Sequence, residues 1–319
     1  MAKQSLKARI ISTLWRLLSQ RSPASLWRLA SWFEPLYVLI GSRERRVTRM
    51  NLRQAYPGAD KKTRQHQIHA SLRHSIATMM ELGFAWQGDP KAVEASVVEV
   101  YGRELLDEAR AEGRGVIVLA PHFGNWEILN FWLSSHFPFT AMYDPPKIGA
   151  LDPIIRHGRE RMGAHLVPTT SRGVASLLKA LKRGEAVGIL PDQVPAWGSG
   201  EFADFFGHPA YTATLLPRLV SRTSAQVVTG VARRRDDRRG FDIHFLAADA
   251  RVYAEADEAR SARGVNASVE RAVALDPMQY QWEYKRYRRT PGERENAPGW
   301  RDRRFYASRR DKRSRSRRQ

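Results

Sequence analysis

The 319-residue chain contains no cysteine. This absence excludes a thiol nucleophile, a disulfide framework and metal centres held by cysteine. Acidic residues are also few, because 33 aspartates and glutamates stand against 53 lysines and arginines, for a net charge of +20. So basic a chain is expected to meet a polyanion: nucleic acid, an anionic membrane face, or an acidic protein or lipid headgroup.

The sequence also lacks a long apolar run. Two helical apolar patterns occupy residues 1–40, but Arg16, Arg28 and Glu34 interrupt them before either reaches the roughly 18 residues of a membrane span. A cleavable signal peptide is disfavoured too, since Arg16 falls within the short apolar core and no A-x-A site follows it. Pro35 is expected to kink or break the second helix.

Aromatic side chains accompany the basic residues of this segment. Such side chains settle at the depth of lipid headgroups, and the segment contains four: Trp15, Trp27, Trp32 and Tyr37. Residues 1–40 therefore predict amphipathic helices that associate with a membrane surface. Packing of the same helices on the protein's own core is the alternative, and both can hold together.

After a predicted helix over 60–86, the pattern changes to short apolar runs that alternate with helical segments. Strands are predicted at 116–120, 139–143, 186–190, 226–231 and 241–246, with helices at 125–136, 149–162, 171–183 and 211–223. This alternation indicates an α/β fold with a mostly parallel central sheet flanked by helices. Beyond Pro291 the apolar periodicity stops, and residues 291–319 are predicted to form a basic, disordered tail.

The predicted strand 116–120 is followed by His122 and, five residues later, Glu127. Open α/β sheets bind their ligands at the carboxyl ends of the strands, which is where His122 falls. A neutral imidazole there could deprotonate a hydroxyl while Glu127 fixes its tautomer. A structural histidine at a helix start is the alternative. A second pair with this spacing, His244 and Asp249, lies in an alternating strand pattern, which favours a chance match.

Two further polar features lie near this edge. Asp192 follows the predicted strand 186–190, so parallel pairing of the two strands would bring it to the edge that holds His122. An ordinary loop or N-cap role for Asp192 is also open. A cationic cluster at 156–161 could neutralise a lipid phosphate or a developing oxyanion, although solvated helix charges explain such clusters as well.

Several blocks of sequence, in order, resemble the lauroyl/myristoyl acyltransferases of lipid A assembly, which are related to the glycerolipid acyltransferases with an H-x4-D box. The resemblance covers residues 25–290. The blocks are Arg45-Arg46-Val47 through Asn51-Leu52 to Tyr56-Pro57, His122 to Glu127, Gly158-Arg159-Glu160-Arg161, Leu190-Pro191-Asp192-Gln193, Phe205-Phe206-Gly207 with Thr212 and Thr214, and Pro277 to Trp282 leading to Lys285-Arg286-Tyr287.

The resemblance implies a glycerolipid-acyltransferase-like fold and a catalytic pair formed by His122 and Glu127. It implies that Arg159 lies near the reacting groups, and we expect Arg161, Asp192 and Asn125 to contribute to substrate binding. The acyl donor would be a thioester on acyl carrier protein or coenzyme A, and the acceptor a lipid hydroxyl at the cytoplasmic face of a bacterial inner membrane. No metal or cofactor is expected.

The sequence patterns and the resemblance together divide the chain into three parts. Membrane-associating helices are expected at 1–40, an acyltransferase domain at 41–290 and the basic tail at 291–319. The lipid A precursor is the first choice of acceptor, and another glycolipid or phospholipid is the alternative.

Other functions find less support in the sequence. A basic polyanion-binding protein is the non-enzymatic alternative, but no nucleic-acid-binding motif accompanies the charge, so nucleic acid is not an expected partner. An inactive scaffold is disfavoured because His122 and Glu127 are both present. Ser176 and Lys179 match S-x-x-K, yet they fall inside a helical pattern.

Overall fold

The computed structural model describes residues 6–40, 42–292 and 305–306. The remainder of the predicted basic tail lies outside these described residues. The α-helices that they form are α1 (Leu6–Leu18), α2 (Pro23–Ile40), α3 (Ser42–Ala55), α4 (Lys61–Gln87), α5 (Pro90–Ala95), α6 (Glu104–Ala111), α7 (Trp126–His136), α8 (Asp152–Glu160), α9 (Ser171–Lys182), α10 (Leu215–Thr223) and α11 (Glu258–Val273). Short 3-10 helices lie at Gly149–Leu151, Ala250–Tyr253 and Pro277–Gln279.

A seven-stranded sheet with the strand order β1-β9-β8-β2-β5-β3-β4 forms the centre of the fold. Its strands are β1 (Val97–Tyr101), β2 (Val116–Leu119), β3 (Phe139–Tyr143), β4 (His165–Pro168), β5 (Ala186–Ile189), β8 (Gln226–Arg234) and β9 (Phe241–Ala247). Neighbouring strands are parallel except β8 and β9, which pair as an antiparallel hairpin. The predicted α/β class with a mostly parallel sheet flanked by helices is confirmed.

Strand β2 lies in the middle of the sheet, and both of its faces are covered. Val116 and Val118 enter one apolar cluster together with residues of α7, whereas Ile117 and Leu119 enter another with residues of α9 and α10. All four residues of β2 are buried. Alternate side chains of a strand point to opposite faces, so an uninterrupted apolar run is stable only between two helical layers.

The N-terminal helices α1 and α2 pack on the long helix α4. In α1, Trp15 is buried and meets the ring of Trp86 edge-on at a centroid distance of 4.9 Å. Pro35 was expected to kink or break the second helix; it lies inside α2, which continues to Ile40, so the helix does not break there. Within the part of the chain that the structure describes, no helix has both the length and the apolarity to cross a bilayer.

Two features differ from the sequence predictions. The segment predicted as a helix from residue 211 begins as strand β7 (His208–Ala213), which pairs with β6 (Gly200–Phe205) in a separate hairpin before α10 starts. In the predicted tail, the side chain of Tyr306 is buried, and its hydroxyl donates to Asn51 Oδ1 at 2.6 Å. This part of the tail is therefore packed on the core.

Candidate active site

The loop that joins β2 to α7 lies at the carboxyl edge of the sheet and is held from two sides. Phe123 forms an antiparallel bridge with Tyr280, and Gly124 forms a parallel bridge with Ala232 in β8. Gly124 has φ of +57°, and a Cβ at this position would lie 2.0 Å from the carbonyl oxygen of Ala232. Only glycine combines this backbone conformation with so close an approach.

Asp192 holds the imidazole of His122 in this loop. Its Oδ1 lies 2.8 Å from His122 Nδ1, and its Oδ2 accepts the backbone N–H of His122 at 2.8 Å. Both side chains are buried. Parallel pairing of β2 with β5 brings the two residues together, as the sequence predicted for this edge.

The carboxyl group of Asp192 is stabilised as the anion. Burial raises its pKa, but the electrostatic interaction with the imidazole of His122, the two hydrogen bonds from that residue and the nearby Arg286 outweigh burial, so the pKa lies below its usual value. An ionised carboxylate can only accept, so the ring proton of a neutral His122 resides on Nδ1. Nε2 is then the acceptor nitrogen, and it lies 3.1 Å from Nε2 of Gln193.

Glu127 was expected to fix the tautomer of His122, but in the structure Asp192 does so. The buried carboxylate of Glu127 instead forms an ion pair with Arg159, which donates from Nε and Nη2. Trp86 and Trp126 donate their indole N–H groups to the same carboxylate at 2.8 and 3.1 Å. Burial raises the pKa of Glu127, but Arg159 and the two indoles outweigh burial and lower it.

Trp126 joins the two groups of charged residues. Its ring centroid lies 4.8 Å from that of His122, while its indole N–H donates to Glu127. Arg159 extends from Glu127 toward the rings of Trp86 and Tyr143, and its side chain remains 20% exposed. The site thus runs without interruption from Asp192 through His122, Trp126 and Glu127 to a partly accessible guanidinium.

Comparison with known proteins identifies the family. The family model for bacterial lipid A biosynthesis acyltransferases matches residues 9–289. The chain belongs to this family. The resemblance inferred from the ordered sequence blocks is therefore confirmed.

Relatives within and beyond lipid A biosynthesis match at similar identity. The chain is 25% identical to the lipid A biosynthesis lauroyltransferase of Escherichia coli K12, covering 88% of this chain and 90% of that enzyme. It is 28% identical to the palmitoleoyltransferase of the same organism, covering 78% and 80%. A shorter match, 28% identical over 40% of this chain and 42% of the other, is to the phosphatidylinositol mannoside acyltransferase of Mycobacterium tuberculosis H37Rv.

In this member of the family, Asn125 has a structural position. Its side chain is buried, and its Oδ1 accepts the N–H groups of Glu127 and Ile128 as the N-cap of α7. Its Nδ2 donates to Glu81 Oε2 at 3.0 Å. The side-chain amide is therefore engaged with the protein, which does not support the predicted contact with substrate.

Arg161 is likewise engaged with the protein. Its guanidinium donates to the backbone carbonyls of Gly88 and Ala85 at 2.5 and 2.9 Å, and it lies over the ring of Phe131. The last carbonyls of a helix lack intrahelical hydrogen-bond donors, and an arginine side chain can donate to them instead. These contacts favour a role in capping α4 over the predicted role in substrate binding.

The second histidine–acid pair does not come together. The ring of His244 stacks on Tyr101 at 4.7 Å, whereas the carboxylate of Asp249 accepts from Arg251. The described residues contain no group of three or more histidine, aspartate or glutamate side chains that could hold a metal ion.

The sequence reasoning missed a buried ion pair beneath the His122 loop. Glu81 on α4 and Arg234 on β8 are fully buried and form hydrogen bonds of 2.5 and 2.9 Å. Arg234 also donates to His74 and Thr78. Because Glu81 accepts from Asn125 as well, this pair connects the core to the cap of α7. No local motif marks two residues so distant in the sequence.

Proposed function

We propose that this protein transfers a fatty acyl chain from an acyl thioester to a hydroxyl of a lipid A precursor, with His122 as the general base. The observation that carries the proposal is the imidazole of His122, whose Nδ1 is held by Asp192 and whose Nε2 is left as an acceptor. Membership in the lipid A biosynthesis acyltransferase family supports the reaction class and the acceptor.

The chemistry needs a proton to move twice. Nε2 of His122 removes the proton of the acceptor hydroxyl as its oxygen attacks the thioester carbonyl carbon. The negative charge of Asp192 stabilises the imidazolium that forms, as in other acid–histidine pairs. When the tetrahedral intermediate collapses, the carbon–sulfur bond breaks and the imidazolium returns the proton to the departing thiolate.

We propose that Glu127 and Arg159 together stabilise negative charge on the substrates, and that they do not act on the imidazole of His122. A guanidinium that is held in place by a buried carboxylate can stabilise a developing oxyanion or bind a lipid phosphate without reorganisation. Glu127 holds Arg159 and also accepts from Trp126, whose ring packs beside His122. Glu127 would thus position two groups at once.

The surface of the chain supports an anionic membrane and an acidic donor as partners. Large apolar side chains on α1 and α2 are more than half exposed: Leu6, Ile10, Leu14, Leu17, Trp32, Leu36, Leu39 and Ile40. Arg21 and Arg28 line the groove between these helices. Exposed apolar side chains with arginines beside them are typical of peripheral binding to anionic lipid. The net charge of +20 would also attract an acidic acyl carrier protein.

Replacement of His122 tests the mechanism. His122→Ala is expected to abolish acyl transfer because the base is lost. Its unfolding midpoint should also fall, because the buried carboxylate of Asp192 loses its ring partner, so activity is measured at a temperature at which the variant is folded. The measurement is transfer from acyl carrier protein or coenzyme A to purified lipid A precursor, with products quantified by mass spectrometry. His66→Ala, on the exposed face of α4, is the matched control and should retain full activity. A folded and active His122→Ala enzyme would falsify the mechanism.

Glu127→Gln tests the second group of charges in the same assay. The rate is expected to fall by about 10²-fold, the size of effect seen when one preorganised electrostatic group is lost. Wild-type turnover in this variant would remove Glu127 and Arg159 from the mechanism.

The acceptor is tested separately by mass spectrometry of lipids from cells with and without the gene, where an acylated glycolipid other than lipid A would contradict the proposed substrate.

A further inference from the structure

Nε2 of His122 already has a partner in the structure. The side-chain nitrogen of Gln193 lies 3.1 Å from it. Because Asp192 accepts the proton of Nδ1, a neutral ring offers Nε2 only as an acceptor, so the amide group of Gln193 must present N–H rather than oxygen. The hydrogen-bonding pattern therefore determines both the tautomer of the histidine and the orientation of the amide.

The same lone pair of Nε2 must receive the proton of the acceptor hydroxyl. We infer that the amide nitrogen of Gln193 occupies the position that the acceptor's hydroxyl oxygen takes beside Nε2, and that the acceptor binds by displacing it. This inference rests on the proposed role of His122 as general base. It locates the acceptor hydroxyl on the Gln193 side of the imidazole, opposite Asp192.

The surroundings of Gln193 allow its side chain to leave while its backbone stays in place. Gln193 is exposed, whereas its neighbours Asp192 and Val194 are buried. The N–H of Val194 donates to the hydroxyl of Tyr284 at 2.8 Å, and the carbonyl of Val194 accepts from Arg288 at 3.0 Å. Rotation about side-chain bonds is therefore sufficient to free Nε2.

The displacement keeps the reaction balanced. The acceptor O–H replaces the amide N–H as donor to Nε2, and the proton passes to that nitrogen as the oxygen bonds to the thioester carbonyl carbon. The carbon–sulfur bond then breaks, and the thiolate takes the proton from the imidazolium. Gln193 takes no part in these bonds, so it acts as a competitor for Nε2 before the first of them forms.

Gln193→Leu tests the inference, because leucine keeps similar bulk but has no N–H to donate. The first measurement is the rate at which diethyl pyrocarbonate modifies His122 in the acceptor-free protein, followed by peptide mass spectrometry. The exposed His66 and His165 serve as internal references in the same sample. Modification of His122 is expected to accelerate about 2- to 10-fold, the equilibrium effect of one neutral hydrogen bond.

The second measurement is the KM for the lipid acceptor, which is expected to fall by a similar factor because the competitor is gone. Gln193→Asn, whose amide is one methylene too short to reach Nε2, should behave as the leucine variant does. An unchanged modification rate in both variants overturns the inference, and so does a rise in KM, which would make Gln193 a group that binds the acceptor. The labelling arm does not depend on acyl transfer, so it separates failure of this inference from failure of His122 as the base.

Discussion

Asp192 is the residue on which the state of His122 depends. It accepts from both the ring and the backbone N–H of His122, so it sets the orientation of the imidazole as well as its tautomer. An asparagine could keep one of these hydrogen bonds, but it could not supply the negative charge that an imidazolium needs. Its effect on the reaction should therefore be separable from its effect on geometry.

Asp192→Asn is expected to lower kcat by about 10²-fold or more and to leave the KM for the acceptor nearly unchanged, because the charge acts mainly on the transition state. Steady-state kinetics with the lipid acceptor provide the measurement. Asp204→Asn, which alters an exposed carboxylate in β6, is the matched control. If the Asp192 variant turned over at the wild-type rate, the proposed stabilisation of imidazolium would be wrong.

Acid stability gives a second readout for the same variant. The folded-state pKa of Asp192 lies below its usual value of 3.8. A depressed carboxyl pKa contributes stability above the unfolded value, and that stability is lost as the pH falls through the folded value. The free energy of unfolding should therefore decrease on acidification below about pH 4, and Asp192→Asn should flatten part of this decrease in urea titrations between pH 2 and 7.

Helix α4 contributes to the site at three points along its length. Thr78 donates to the carbonyl of Gly124, Glu81 accepts from Asn125, and Trp86 donates to Glu127. One helix thus contacts the His122 loop, the N-cap residue of α7 and the carboxylate of Glu127 in the first turn of α7. A substitution in α4 should therefore alter the geometry of the site even when the substituted residue lies far from the imidazole.

The buried pair of Glu81 and Arg234 allows the contribution of α4 to stability and activity to be tested. Glu81→Leu or Arg234→Met leaves one buried charge without its partner, and each is expected to lower the free energy of unfolding by about 3–5 kcal/mol. The double variant removes both charges and should recover much of that loss. Its activity should stay low, because Asn125 still lacks its acceptor.

Denaturant unfolding and turnover of the two single variants and the double variant are the measurements. Arg218→Met is a suitable control, since Arg218 forms an exposed ion pair with Glu258. A double variant as unstable as the singles would show that the charges are not coupled. Recovery of activity together with stability would show that the link through Asn125 has no part in the reaction.

Local patterns predicted the central strands because buried parallel strands are continuous apolar runs, and β2 and β5 both are. They also placed His122 and Asp192 at one edge, since that follows from the direction of parallel strands. The partner of Glu127 could not be predicted in this way, because the ion pair with Arg159 depends on how α8 packs beside α7. The region from 211 was predicted as a helix because its apolar residues suit either structure, and pairing with β6 decides in favour of a strand.

At the scale of the whole molecule, the charge and the apolar surface predict two separable contributions to membrane binding. The exposed side chains of α1 and α2 would bind through apolar contact, which salt does not weaken. Residues 307–319 carry seven basic side chains and one acidic side chain, and each basic residue near an anionic surface contributes about 1 kcal/mol. The salt concentration should therefore tell the two contributions apart.

Replacing Leu14, Leu17 and Trp32 with serine is expected to weaken vesicle binding at every salt concentration, because the apolar contact is lost while buried Trp15 is untouched. Deletion of residues 307–319 should weaken binding to anionic vesicles only at low salt. It should leave turnover on detergent-dispersed substrate unchanged, since Phe305 and Tyr306 remain in place. Vesicle sedimentation between 50 mM and 500 mM salt measures both effects.

Neutral vesicles serve as the control, because they should bind the deletion variant and the full chain equally. If the deletion left binding to anionic vesicles unchanged but removed binding to nucleic acid, the tail would have a different polyanion as its partner. Deletion from residue 301 is a different experiment, since it also removes Tyr306, which hydrogen-bonds Asn51 and packs within the core.

The bridge between Phe123 and Tyr280 has a consequence for how the protein is made. The carbonyl of His122 accepts from the N–H of Gln281 at 3.0 Å, so the loop is held by a segment that follows every strand of the sheet. A ribosome exposes His122 long before it synthesises that segment. During translation His122 is therefore synthesised well before the segment that holds its loop, so the loop can take the geometry described above only after Gln281 has emerged.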